Sequence, residues 1–279
     1  LHDARVKKQI LFRTACTVAL TLLSAGELFA RTRYSSSSSS SSGTVFLASI
    51  GVVAVIGGIT LYAYYADKKR AGKIQAIATR LGFTFRRKPT DADNALIVGC
   101  HIARTGHGHI TSNVLEVAHS DELKMTLFDH AYTVGYGKSS SHYNQTITRM
   151  QSPMLNLPVF TLFPETFSSK IGKLFGGTDI NFPEAPLFSK KYILRGPDEA
   201  AIRSVFSPDV MQFLVGLPWL VLIDADGDTL FVHRTSKRTK PEEIEAAVAE
   251  GKQILAKFFE AQNSGRPAIP PPMPPPIPV

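Results

Sequence analysis

Several groups of residues in this chain have the types and spacings of known chemistry. Cys100, His101, His107 and His109 follow the pattern C-H-x5-H-x-H, and thiol plus imidazole is the donor set that gathers zinc. Strong zinc motifs repeat shorter spacings on fixed elements, whereas this segment contains glycine and reads as a polar surface loop. Asp129-His130 offers a base and its orienter. Adjacent side chains of a strand point to opposite faces, however, so the two do not form a dyad. Ser139 to Ser141 and His142 supply hydrolase residue types on a hairpin loop, with no nucleophile elbow beside them. Gly137-Lys138-Ser139 ends like a phosphate-binding loop, but Tyr132 stands where that motif needs its first glycine. Asp224, Asp226 and Asp228 suggest a calcium loop. Its sixth and twelfth positions are Thr229 and Thr235 instead of Gly and Glu, so a turn on Asp226-Gly227 accounts for the run. No catalytic, cofactor-binding or metal-binding residue is therefore assigned from the sequence.

The elements that must position these residues are organised by Val45 to Tyr65. This run is uncharged and about twenty residues long, the length that spans a bilayer's hydrocarbon core as a helix. Tyr62, Tyr64 and Tyr65 stand at its end, followed by Lys68, Lys69, Arg70 and Lys73, the order expected where a span leaves on the cytoplasmic side. Before it, Arg5, Lys7 and Lys8 precede the apolar stretch Thr14 to Gly26, which reads as a secretory signal peptide. The alternative is an uncleaved first span in a helical hairpin. Both place the following domain in the cytoplasm, beneath the inner membrane. Ser35 to Ser42, closed by Gly43, is a flexible linker.

Charge supports this layout. The chain of 279 residues carries 31 Lys and Arg against 23 Asp and Glu. Residues 67–88 hold eight basic groups against Asp67, whereas residues 89–279 hold seventeen against twenty acids. The basic excess lies beside apolar segments, where it sets topology and meets anionic headgroups. A nucleic-acid partner is excluded on that ground, and the bilayer is the expected partner. Cys16 and Cys100 lie in separate segments, so no disulfide is expected within the domain.

The expected fold class is α+β: a single transmembrane helix, then a mostly antiparallel sheet covered by a few helices. The expected division is a hydrophobic segment 1–33, a linker 34–43, a transmembrane helix 44–66, a domain 67–262 and a Pro-rich tail 263–279. Within the domain, Ala71 to Leu81 continues as a helix with Ile74, Ile77, Ala78 and Leu81 on one face and a basic opposite face, suited to headgroups or to solvent. Strands are expected at Phe83 to Arg87, Asn113 to Val117, Lys124 to Tyr136, Tyr143 to Arg149, Val159 to Phe163, Lys190 to Leu194, Trp219 to Ile223 and Thr229 to His233. Pro164 starts a short helix carrying Phe167, Ile171 and Leu174. Further helices begin at Gly196-Pro197-Asp198-Glu199 and at Ser207-Pro208-Asp209. Pro241 to Phe259 has Ile244, Ala247, Val248, Gly251, Leu255 and Phe258 in one stripe. The tail Arg266 to Val279 is polyproline II, a form that docks into aromatic grooves of a protein partner.

The phrases LGFTF (81–85), TLFDHAYTVGYGK (126–138), QTITRMQSPMLNLPVFTLFPE (145–165) and FSKKYILRGPDEAAIRSVFSP (188–208), with the closing helix, resemble a family of bacterial membrane-anchored proteins with one small cytoplasmic domain. The resemblance covers about residues 70–260. It implies the anchored layout but brings no activity or cofactor, and it places a Tyr where this chain has His130. The expected function is a membrane-anchored, non-catalytic interaction or sensing module. The alternative is a membrane-bound hydrolase using His142 and Ser139 to Ser141.

Overall fold

In a computed structural model the described residues are 41–167, 179–234 and 237–264. The chain divides into two units, 1–68 and 69–279. In the first, residues 41–68 are helical, the start of α1 (Ser41–Leu81). Ser41, Ser42 and Gly43, expected as linker, are therefore its first turn; the rest of the linker and residues 1–33 lie outside the described residues. Among the described residues no helix is long and apolar enough to cross a membrane, so the span expected at Val45 to Tyr65 rests on the sequence.

The second unit is α+β, as expected. Eight strands form one antiparallel sheet in the order β1-β2-β3-β4-β8-β7-β5-β6. They are β1 (Thr84–Arg86), β2 (His107–His119), β3 (Lys124–Val134), β4 (Ser141–Gln151), β5 (Leu157–Pro164), β6 (Tyr192–Arg195), β7 (Leu222–Gly227) and β8 (Thr229–His233). β3 and β4 pair residue for residue across the Gly135–Ser140 turn, and β7 and β8 close on Asp226 and Thr229 with Gly227 at φ 59°. Strand β2 is far longer than Asn113 to Val117. It takes in His107 and His109, which the sequence reads as part of a loop.

Because side chains alternate, the sheet has two distinct faces. One carries Met125, Leu127, Met150, Leu162, Ile223, Leu230 and Val232 and is covered by helices. These include the end of α1, with Ala71, Ile74 and Ala78 buried, and α6 (Ile244–Asn263), with Ile244, Val248, Gly251, Ile254, Phe258 and Ala261 buried. Ile254 takes the central place that the sequence stripe gave to Leu255, which packs at its margin. Two further helices follow the expected start signals, α4 (Glu199–Val205, capped by Asp198) and α5 (Pro208–Gly216, capped by Ser207), whereas α3 (Pro186–Lys191) was not expected and takes in Lys190 and Lys191, which the sequence reads as strand. Glu165–Phe167 forms one 3₁₀ turn; the helix expected through Leu174 lies outside the described residues. Residues 89–94 contain α2 (Asp91–Asn94), closed by a reciprocal Thr90–Asp93 capping box.

The other face carries Phe128, Ile147 and Phe231, and its cover is residues 95–104. Two 3₁₀ turns, Ala95–Ile97 and His101–Arg104, press Ile97, Cys100 and Ile102 onto these side chains. Gly106 returns the chain into β2 at φ +74°, with the Thr133 carbonyl where a side chain would stand.

Candidate functional site

Register brings the site together. Leu222 opposes His233 and Asp224 opposes Phe231, so Asp224 and His233 are diagonal neighbours on one sheet face. Thr161 opposes Asp224 from the other side. The covering segment then sets Cys100 and His101 against them. The four donor atoms of Cys100, His101, Asp224 and His233 all lie within 4.8 Å of one another, and all four residues are buried.

Asp224 is the hub. One carboxylate oxygen lies 2.6 Å from His101 Nδ1, 3.2 Å from the Cys100 Sγ that donates to it, and 4.0 Å from His233 Nε2. The other accepts from Thr161 Oγ1 at 2.7 Å. The Thr105 hydroxyl donates to the His101 carbonyl at 3.1 Å and fixes that turn. Burial alone would raise the Asp224 carboxyl. His101, His233 and the Thr161 hydrogen bond outweigh it and hold the group below the usual carboxylate range. Burial, and then the Asp224 carboxylate, push the Cys100 thiol well above its ordinary value. Burial and His101 push His233 down to about 3, so its imidazole is neutral. Among the described residues neither of its ring nitrogens has a hydrogen-bond partner, although the ring stacks on His101 at 5.5 Å between centroids. A cavity of about 320 Å³ reaches this cluster at His101 and Asp224, with Thr161, Arg104 and Arg195 in its wall.

This arrangement is poorly suited to nucleophilic catalysis. The thiol is fully buried, held protonated, and hydrogen-bonded to a carboxylate instead of an imidazole. Its donor set of one sulfur, two imidazoles and one carboxylate is the kind that holds a borderline divalent cation.

The other sequence candidates separate. Of the C-H-x5-H-x-H group only Cys100 and His101 enter the cluster; His107 bonds to the Gly135 carbonyl and stacks on Tyr136. His109 meets His130 instead, at 3.1 Å between ring nitrogens. Asp129 and His130 face apart as expected. Asp129 takes Arg70, Asn113 and Thr146, while His130 takes His109 and Thr111. His142 lies 2.8 Å from Thr133 Oγ1, and Ser140 donates to the Gly137 carbonyl, so these two hydroxyl and imidazole groups do not pair. The aspartates around Gly227 part company too. Asp224 faces the cluster, while Asp228 accepts from Gln151 and Thr229 at the turn. His233 carried no motif; its one signal in the sequence is an imidazole ending an apolar strand. No family model matches the chain, and no curated protein or solved structure matches it either.

Proposed function

We propose that the chain is a membrane-anchored, non-catalytic sensing or interaction module, with its sheet domain in the cytoplasm beneath the inner membrane. The observation that carries this reading is α1. Over Val55, Ile59, Leu61, Tyr62, Tyr64 and Tyr65 it presents large apolar and aromatic side chains that are 50–76% exposed. These residues recur around the helix instead of on one stripe, which fits a lipid surround and not a single protein groove. The uncharged sequence from Val45 and the basic residues after Tyr65 support a span with its C-terminal side in the cytoplasm.

The rest of the reading follows from how the domain is attached. Arg70 makes a two-pronged pair with Asp129, at 3.1 Å for each bond, and Ala71, Ile74 and Ala78 pack onto the sheet. Lys73 pairs with Glu242 in the 3₁₀ turn Pro241–Glu243 just before α6, and Arg80 with Glu245 on α6, so part of the basic face expected on headgroups or in solvent is used within the domain. The non-catalytic character is supported by the buried, protonated Cys100 thiol, bonded to a carboxylate instead of a base, and by the separation of the hydrolase residues. The resemblance to bacterial membrane-anchored proteins belongs to this proposal, as does a protein partner for the tail 266–279, which lies outside the described residues.

Fractionation of the full chain tests the anchor. The protein is expected in the membrane pellet after alkaline carbonate extraction, and a reporter fused after Phe259 is expected to be active only in the cytoplasm. Release by carbonate, or reporter activity outside the cytoplasm, would sink the proposal. A second fusion after Ser42 separates a cleaved signal peptide from a two-span hairpin.

A further inference from the structure

We infer that Cys100, His101, Asp224 and His233 form a binding site for one divalent transition-metal ion of the zinc class, closed by four protein ligands. This goes beyond the anchoring proposal and does not depend on it.

The chemistry of the donors comes first. Thiolate, two imidazoles and one carboxylate make a mixed set that zinc accepts in tetrahedral form, whereas calcium and magnesium require oxygen ligands. Ligands on a tetrahedral zinc stand about 3.3–3.8 Å apart, given bonds of about 2.0–2.3 Å. The separations from Asp224 Oδ2 here, 2.6, 3.2 and 4.0 Å, bracket that range, and no two of the four donor atoms stand more than 4.8 Å apart, so shifts of about an ångström would complete it.

Two further observations point to a cation. His233 is 4% exposed, and among the described residues neither ring nitrogen has a hydrogen-bond partner, an expensive state for a buried imidazole. Its Nε2 lies on the Asp224 side, where coordination would satisfy it. Asp224 is 2% exposed, and none of its hydrogen-bond or ion-pair partners among the described residues is a Lys or Arg. A buried carboxylate normally has a full countercharge, which a divalent ion would supply. The surroundings also have the form of a supported site: Thr161 holds the second Asp224 oxygen, Thr105 fixes the His101 turn, and the cavity at His101 and Asp224 gives an entry path. With four protein ligands the ion has no open position, so it stabilises or reports and does not activate water.

Cobalt(II) tests this on the detergent-solubilised full chain carrying Cys16→Ser, so that Cys100 is the remaining thiol. After metal stripping, about one cobalt per chain should bind, with tetrahedral d–d bands and a thiolate-to-cobalt charge-transfer band, and zinc should displace it. Thr161→Val removes a supporting hydrogen bond while leaving all four ligands, and should weaken cobalt binding by about 10-fold or more. Cys100→Ser should abolish the charge-transfer band. Where that variant does not fold, the parent spectrum decides, because Cys100 is its only thiol. Zinc should also raise the melting temperature of the stripped protein. Absence of the tetrahedral bands would overturn the site, as would a charge-transfer band surviving in folded Cys100→Ser, or zinc at large excess leaving the melt unchanged. None of these readouts depends on whether the chain fractionates with membranes.

Discussion

At the scale of single residues, burial and then the neighbouring His109 push the His130 imidazole down to about 4. His109 on β2 lies 3.1 Å away and Thr111 3.3 Å away, Phe128 and Tyr132 flank it on β3, and His233 on β8 interacts with it electrostatically. A folded value below the unfolded 6.5 means that the native state favours the neutral ring. That stability is complete above about pH 6.5 and is lost as pH falls toward 4, up to about 3 kcal/mol in all. Urea denaturation at pH 7 and pH 4.5 should therefore show a larger acid loss in the parent than in His130→Gln. Equal losses would refute the assignment. Residues of this kind are the least legible in sequence. Cys100 and His101 are adjacent and invite a metal reading, but their partners lie more than a hundred residues on, in a different part of the sheet. Asp224 resembles part of an acidic turn because Asp226 and Asp228 follow it. Only the β7–β8 register turns it inward beside His233.

Elements were far more legible, because each has a local cause. The Ser207 cap, the helix start signalled by Gly196-Pro197-Asp198-Glu199 and the opposite facing of Asp129 and His130 all act within a few residues, and the structure bears out each of them. The hairpin turn expected on Asp226-Gly227 falls one residue later, on Gly227-Asp228. What sequence missed at this scale was α3, whose last residues Lys190 and Lys191 read as strand, and the start of β2, since residues 95–106 have no period and are shaped by the face they cover. Gly106 holds that crossing in place. At φ +74° an alanine is strained, and its Cβ would collide with the Thr133 carbonyl, a backbone atom that cannot swing aside. Gly106→Ala should cost about 2 kcal/mol or more in urea denaturation, and should loosen the cover over Cys100 and His101. A loss under about 0.5 kcal/mol would show that the crossing tolerates rearrangement. Arg70 is the matching device on α1. Its guanidinium is largely buried against Asp129, which Asn113 and Thr146 also engage, with Asn113 itself at φ 51°. Arg70→Ala leaves a buried carboxylate short of its countercharge and should cost about 3 kcal/mol. Arg70→Leu combined with Asp129→Leu should cost clearly less than the two single changes added together.

At the scale of the whole molecule, the boundary between the two units falls just before Arg70. The domain therefore includes the last turns of α1, Ala71 to Leu81 among them. Two truncations place the boundary physically. A chain beginning at Lys69 keeps Arg70 on Asp129 and keeps Ala71, Ile74 and Ala78, each 3% exposed or less, on the sheet. It should fold as a soluble domain with a cooperative melt. A chain beginning at Gly82 loses the ion pair together with one buried isoleucine and two buried alanines. Removing those side chains alone forfeits about 3–4 kcal/mol of transfer free energy, and stranding Asp129 adds about 3 more. Against a typical total of about 5–15 kcal/mol, that is enough to leave the shorter domain at or below its folding threshold. The surface pairs Lys73–Glu242 and Arg80–Glu245 are lost as well, but they are exposed and add little. Circular dichroism melts of the two truncations decide the matter. Equal melting temperatures would mean that the end of α1 only passes by the sheet, and that the domain begins at β1.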